Sequence, residues 1–147
     1  MEYMTLVLKE SMRLVNAAAI VSRTLAVPYD VDGVTIPAGT MVGIGIHQLH
    51  HNPSVWGHDH MEFKPSRFLP ENFTAMDPFA FVPFSAGARN CIGQQFALHE
   101  IKVFVARILR RFRLSLVDGE PEPVPEMNLV TKPLKPLRLT IEKITAN

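Results

Sequence analysis

The sequence predicts a mainly α-helical chain that carries small antiparallel β-hairpins, which is the α+β class. Two stretches repeat apolar residues at spacings of three and four, one from Tyr3 to Leu14 and one after Gly93. Between them, Asp32-Gly33 is a strong hairpin signal. The chain has 147 residues, 47% of them hydrophobic and 20% charged, so it should bury the core of one modest domain.

Charge and cysteine content exclude several classes of function. The formal net charge of +1 gives no general attraction to nucleic acid, and a single cysteine excludes an internal disulfide framework. No apolar run approaches the ~20 residues of a membrane span, and the first residues lack a signal-peptide pattern. Taken alone, the chain is expected to be soluble, in a reducing compartment and without a nucleic-acid partner.

The first helix, Tyr3 to Leu14, carries Glu10 and Arg13 on one face because they are three residues apart. From spacing alone they predict a solvated pair worth about 0.2–0.5 kcal/mol. No capping residue precedes this helix, so the chain is expected to start inside an element at Met1.

An extended segment from Ala18 to Ala26 follows, and Tyr29 to Ile46 predicts short antiparallel strands with a second turn at Pro37 to Thr40. The alternation of residues 42, 44 and 46 with residues 41, 43 and 45 predicts one packed face and one nearly bare face.

Five histidines then raise the possibility of a zinc site: His47, His50, His51, His58 and His60. Their spacing matches no closed four-ligand pattern, and Asn52-Pro53 and Gly57 interrupt the segment. Ordinary loop and cap histidines are the favoured interpretation, and a meander rich in proline is expected to follow them.

The stretch from Phe84 to Gly93, F-S-A-G-A-R-N-C-I-G, holds the only cysteine, Cys91, just before an amphipathic helix. Free N–H groups at the helix start, the helix dipole and Arg89 all favour an anionic sulfur, which is a metal ligand or a nucleophile. No histidine lies in this stretch to act as a base. Gly87 and Gly93 permit positive φ and close approach of the backbone to a bulky group. The alternative is a small buried cysteine.

The pattern F-x-x-G-x-R-x-C-x-G resembles the haem-binding signature of the cytochrome P-450 haem-thiolate monooxygenases, and its wider wording resembles the animal fatty-acid omega-hydroxylase group. The resemblance implies that Cys91 is the catalytic axial ligand of the haem iron, with Arg89 on a haem propionate. Phe84 would pack beside the sulfur, and Gly87 and Gly93 flank the cysteine on either side. Ala88 stands where that group usually has proline.

The same resemblance implies that Glu10 and Arg13 join Arg67, in F-K-P-S-R-F, in a buried structural network. Ser66 departs from the acidic residue often found there, and residues 15–19 lack the usual prolines. Arg23 is implied as a second propionate partner, and residues 17–20 as an apolar part of the substrate pocket.

The implied fold is the C-terminal haem-binding part of the cytochrome P-450 fold. Residues 1–147 are therefore expected to be a partial domain whose upstream part, with the membrane anchor, is absent. The implied reaction inserts one oxygen atom of O2 into a C–H bond of a lipophilic substrate, and the omega-hydroxylase wording implies a fatty acid. It needs haem with an axial thiolate and an electron-donor reductase, at the cytoplasmic face of the endoplasmic reticulum. The alternatives are a truncated, non-catalytic haem binder, an unstable fragment, or a haem-thiolate isomerase or dehydratase.

The end of the chain has two features. The helix after Cys91 contains apolar residues at 97, 101, 104, 108 and 112 and ends in four arginines: Arg107, Arg110, Arg111 and Arg113. These complement the helix dipole or, by the resemblance, dock an acidic electron donor. Leu129 to Ile141 predicts a hairpin whose tip, again by resemblance, reaches the substrate pocket.

Overall fold

The computed structural model describes residues 2–128 and 130–144. Five α-helices and two 3-10 turns alternate with eight short strands, which confirms the α+β class. In chain order the elements are α1 (Glu2–Leu14), β1 (Ile20–Thr24), β2 (Tyr29–Val31), β3 (Val34–Ile36), β4 (Met41–Gly45), α2 (Ile46–His50), α3 (Pro53–Trp56), a 3-10 turn (Pro65–Phe68), α4 (Pro70–Phe73), a second 3-10 turn (Gly87–Arg89), α5 (Gln94–Leu109), β5 (Phe112–Leu116), β6 (Pro125–Met127), β7 (Thr131–Pro133) and β8 (Leu139–Lys143).

The strands form four two-stranded antiparallel sheets: β1 with β4, β2 with β3, β5 with β8, and β6 with β7. The predicted hairpin at Asp32-Gly33 is confirmed, since both turn residues have positive φ, 49° and 79°. The Asp30 carboxylate accepts hydrogen bonds from the Gly33 amide and the Thr35 hydroxyl, which fixes this turn.

The strand predicted to run to Ile46 ends earlier. β4 stops at Gly45, and Ile46 starts α2, where it is 2% exposed. Ile44, predicted to lie on a packed face, is 51% exposed because only β1 pairs with β4 and no element of the described chain covers that face. The alternation therefore predicted the strand correctly but not the exposure of its side chains.

Helix α5 begins three residues after Cys91, as expected, but its predicted stripe is not its packed face. Phe104 is 64% exposed, and Phe112 is the first residue of β5 rather than part of the helix. The residues that turn toward α1 are Leu98 and Lys102, which border the same cavity as Leu8. An apolar stripe on a helix marks a face that is expected to pack against other elements. Within the described residues, few elements pack against this face of α5.

The C-terminal hairpin prediction was wrong in its pairing. β7 pairs with β6, and β8 pairs with β5, so residues 130–141 do not fold back on themselves. Strand partners far apart in sequence depend on register with distant segments, which local alternation does not encode. Leu129 and Met1, which also entered the sequence predictions, lie outside the described residues.

The core lies between α1 and the irregular segment that follows α2. Trp56, Phe68 and Ala80 are 3–4% exposed and form its centre. Phe73 and Phe81 pack against Phe68, with ring centroids 5.1 Å and 4.7 Å away. This aromatic cluster supports the chain immediately before Phe84. No helix of the described residues has the length and apolar character to cross a bilayer.

Candidate functional site

The Cys91 loop, defined as residues 84–93, is built by two backbone turns. The Ser85 amide donates to the Val82 carbonyl at 2.9 Å, and the Cys91 amide donates to the Phe84 carbonyl at 2.9 Å. Ser85 has φ 64° and Gly87 has φ 74°, so the chain turns through left-handed backbone twice before the cysteine. The result is a closed loop that leaves the Cys91 side chain exposed.

The two glycines of the loop have different roles. Gly87 needs its positive φ, which a side chain would strain. Gly93 does not, since its φ is −83°, and a Cβ there would lie 3.8 Å from the Cys91 sulfur, an ordinary contact. The expectation of unusual backbone therefore applies to Gly87 and, unexpectedly, to Ser85. Ile92 and Phe96, one and five residues after Cys91, are 103% and 72% exposed, so this end of α5 presents large apolar side chains.

The two arginines predicted near the site are connected through the backbone. Arg23, on β1, donates from Nη2 to the Arg89 carbonyl at 3.3 Å and from Nη1 to the Ser22 carbonyl. Neither Arg23 nor Arg89 forms an ion pair within the part of the chain that the structure describes. For Phe84, the contact to the cysteine is through its carbonyl oxygen.

The structure brings Glu10, Arg13 and Arg67 together. Arg13 donates from Nε and Nη2 to the two Glu10 carboxylate oxygens at 2.7 and 2.9 Å, and both side chains are 0% exposed. Arg67 approaches the same carboxylate at 3.4 Å from its Nε. The remaining Arg13 hydrogens reach the carbonyls of His50, His60 and Glu62 at 2.7–3.2 Å. Arg13 therefore ties α1 to three separate points of the chain.

Asp59 is a member of this network that sequence reasoning missed. Its carboxylate accepts from Arg67 Nη1 at 2.8 Å and from Lys64 Nζ at 2.9 Å. These hydrogen bonds, first from Arg67 and then from Lys64, hold the pKa of Asp59 well below its usual range. Ser66 was noted as the position that lacks an acidic residue, and Asp59 supplies the carboxylate from seven residues upstream.

His50 and Asn16 are two further buried polar residues, of which the sequence analysis named only His50, as one of five candidate zinc ligands. His50 is 0% exposed, and its Nε2 accepts a hydrogen bond from the Val82 amide at 3.0 Å. Burial, with the nearby positive charges of His51 and Arg13, lowers the pKa of His50 to about 4. Asn16 is 3% exposed and donates from Nδ2 to the Pro83 carbonyl at 3.3 Å. Both residues thus hold the backbone that enters the Cys91 loop.

The other histidines have local contacts. His51 and His47 stack with ring centroids 4.0 Å apart, and the His51 Nδ1 lies 2.8 Å from the His47 carbonyl oxygen. Within residues 2–128 and 130–144, no three His, Cys, Asp or Glu side chains gather closely enough to hold a metal ion. At the end of α5, Arg107, Arg110 and Arg111 border one shallow depression, and none of the three forms an ion pair with a described carboxylate.

Comparisons with known proteins agree on one family. The family model described as cytochrome P-450 matches residues 1–141. The mouse (Mus musculus) leukotriene-B4 omega-hydroxylase 3 is 48% identical over 130 residues, covering 86% of this chain and 24% of that protein. The pig (Sus scrofa) taurochenodeoxycholic 6 alpha-hydroxylase is 44% identical over 145 residues, covering 98% of this chain and 28% of that protein. The chain thus spans about a quarter of these relatives' length.

A solved structure gives the same assignment. The fold matches that of the cyanobacterial CYP120A1 with retinoic acid bound, with a TM-score of 0.90 and 32% identity. The match covers 98% of this chain and 33% of that one. The resemblance to the omega-hydroxylases is confirmed by the mouse relative. On its sequence and on its fold, this chain belongs to the cytochrome P-450 family.

Proposed function

We propose that this chain forms the haem-binding, thiolate-side region of a monooxygenase that inserts one oxygen atom of O2 into a C–H bond of a lipophilic substrate. The observation that carries the proposal is the exposed sulfur of Cys91, the only cysteine, presented at the start of α5 by a loop of fixed backbone. The family and the fold imply haem whose iron binds a cysteine thiolate.

The residues around Cys91 fit a haem in shape and in charge. Ile92 and Phe96, one and five residues after Cys91, expose apolar surface, which suits the face of a flat macrocycle. Arg23 and Arg89 provide two cations without a carboxylate partner in the described chain, which suits the two propionates. Apolar surface, one sulfur and two free cations in one region are the donor set that this group needs.

Each residue then has a distinct role. Cys91 would be the catalytic thiolate ligand of the haem iron, and the haem with this ligand would supply the activation of O2. Arg89 and Arg23 would bind the propionates. Gly87 turns the backbone, Gly93 would let it approach the macrocycle, and Phe84 would pack beside the sulfur. Glu10, Arg13 and Arg67 keep the supporting core in place and take no part in the reaction.

The substrate class is proposed from the relatives, and one backbone contact indicates which segments would line the pocket. We assign a fatty acid or a related lipid, since the mouse relative is named for the omega-hydroxylation of leukotriene B4. The Thr131 amide donates to the Ala17 carbonyl at 2.8 Å, which places the β6–β7 hairpin beside the apolar residues 17–20. These two segments form one wall of the proposed substrate pocket.

The proposed partner is an electron-donor reductase. The remaining part of the cytochrome P-450 fold would complete the substrate pocket. The exposed side chains of α5, such as Phe104 and Val103, are the surface on which that remainder packs. In the whole enzyme we place this region at the cytoplasmic face of the endoplasmic reticulum membrane. The second candidate is a haem binder without catalytic activity, in which the same Cys91 loop would hold the haem.

A chimera tests the function. The matching region of the mouse omega-hydroxylase is replaced by this chain, and the product is incubated with a reductase, leukotriene B4 or a fatty acid, and isotopically labelled O2. We expect hydroxylated product that carries one labelled oxygen atom. In the same chimera, Arg89→Gln with Arg23→Gln should lower the haem retained after gel filtration, because two charge-assisted hydrogen bonds are lost.

The control is Cys91→Ser in that chimera, which should give no labelled product. Product formed equally by the Cys91→Ser variant would contradict the proposal. A chimera that shows the thiolate spectrum but never incorporates oxygen would favour the non-catalytic candidate instead.

A further inference from the structure

We propose that Asn16 and His50 form a buried clamp that positions the Cys91 loop, so that they are positioning residues for the thiolate. The inference rests on the proposed function of Cys91 and adds residues to which that function assigns no role. Both act on adjacent residues: His50 accepts from the Val82 amide at 3.0 Å, and Asn16 donates to the Pro83 carbonyl at 3.3 Å.

Two hydrogen bonds connect the clamp to the cysteine. The Val82 carbonyl accepts from the Ser85 amide at 2.9 Å, and the Phe84 carbonyl, one residue beyond Pro83, accepts from the Cys91 amide at 2.9 Å. A shift of the Val82-Pro83 backbone therefore moves the acceptor that holds Cys91. Apart from the backbone, no covalent bond such as a disulfide restrains the segment that leads into the Cys91 loop, because the chain has a single cysteine.

Ser85 explains why the loop needs a clamp. Its φ of 64° is left-handed backbone, which is unfavourable for a residue with a side chain and persists only where its surroundings impose it. Val82 and Pro83, which the clamp holds, lie three and two residues before Ser85. Released from the clamp, the segment would relax and carry the Phe84 carbonyl away from Cys91.

Asn16 and His50 are each held in place by further contacts. Asn16 Oδ1 accepts from the Ala18 amide at 2.9 Å, which forms a turn just after α1. His50 packs against Phe81, with ring centroids 5.1 Å apart, and its carbonyl accepts from Arg13 at 2.9 Å. The clamp therefore couples the Glu10–Arg13 pair to the cysteine.

The test uses Asn16→Asp, which keeps an oxygen that accepts from the Ala18 amide but replaces the donor to Pro83 by a carboxylate oxygen, so that the buried side chain repels the carbonyl that it held. The matched control is Asn72→Asp, because Asn72 donates in the same way to the Ser66 carbonyl at 2.8 Å but is exposed and distant in sequence from the loop. Hydrogen exchange of the Ser85 and Cys91 amides is measured in the 147-residue chain without haem. We expect exchange roughly tenfold to a hundredfold faster in Asn16→Asp and unchanged in Asn72→Asp.

A second pair of variants keeps the test decisive should Asn16→Asp fail to fold. His50→Gln retains an acceptor for the Val82 amide and should keep slow exchange at Cys91, whereas His50→Leu should lose it. In the haem-loaded chimera, Asn16→Asp should lower the thiolate fraction of the carbon monoxide spectrum.

Equal exchange at Cys91 in His50→Leu, His50→Gln and the parent chain, or in Asn16→Asp and Asn72→Asp, overturns the clamp. That result is separate from a failure of the proposed function. In the latter case, the thiolate spectrum survives Cys91→Ser whatever the exchange rates are.

Discussion

Replacing Arg13 with Met is expected to lower the free energy of unfolding by about 3–5 kcal/mol. Met approximates the volume of the arginine stem but removes both Arg13 hydrogen bonds from the Glu10 carboxylate, which is 0% exposed and keeps only the Lys64 amide at 2.9 Å and Arg67 Nε at 3.4 Å. The carbonyls of His50, His60 and Glu62 lose a donor as well. Most of the cost comes from the buried carboxylate and carbonyls that lose these donors, more than from the lost attraction between the ions.

Urea unfolding followed by the fluorescence of Trp56 measures this loss. Trp56 is the only tryptophan, is 3% exposed, and has the Arg13 guanidinium 5.0 Å from its ring centroid. The matched control is Lys132→Met, which breaks the exposed 3.2 Å pair with Glu126 and should cost under about 1 kcal/mol. Equal losses for the two variants would show that the Arg13 network does not stabilise the core.

Stability is expected to fall as the pH is lowered from about 6.5 toward about 4 because of His50. Burial keeps its imidazole neutral in the folded chain, whereas the unfolded chain takes up a proton at the ordinary pKa of 6.5. The unfolded state therefore binds more protons across this window, and acid favours it. The pKa difference corresponds to roughly 3 kcal/mol when the whole window has been crossed.

The measurement is the urea midpoint as a function of pH for the parent chain and for His50→Gln, which cannot titrate there. The parent should lose more stability than the variant across the window. The depressed pKa of Asp59 does not interfere, since a carboxylate of this kind loses its contribution only below its unfolded value of 3.8. Identical pH dependence in the two proteins would mean that His50 is not held neutral by the fold.

Helices and hairpins whose formation depends on neighbouring residues, through apolar periodicity or turn residues, could be predicted from the sequence. Helix α1 was predicted to within one residue, and the Asp32-Gly33 hairpin was predicted from turn chemistry. The sequence could not predict which segments pack against an apolar face. The apolar stripe of α5 indicated a buried face, but Phe104 is exposed because burial depends on which segments lie opposite. The pairing of β8 with β5 was missed for the same reason, since a partner more than twenty residues away has no local signature.

The candidate site shows the same limit. The cysteine and its flanking residues could be singled out because they form one short motif. Glu10 was expected as the carboxylate partner of Arg67, whereas its second carboxylate partner, Asp59, was not predicted because it lies in an irregular turn without periodicity. Asn16 and His50 were not predicted as functional, because their importance lies in contacts with Pro83 and Val82, 67 and 32 residues away. A polar residue in an otherwise apolar segment, such as Asn16 before three alanines, was the available signal.

The carbon monoxide spectrum of the reduced haem chimera tests most directly whether Cys91 ligates haem as a thiolate. Thiolate ligation gives a strongly red-shifted Soret band, because the anionic sulfur donates electron density to the iron. We predict this band for the parent and its complete loss in Cys91→Ser, while the far-ultraviolet circular dichroism stays unchanged. Persistence of the red-shifted band in Cys91→Ser would contradict the account.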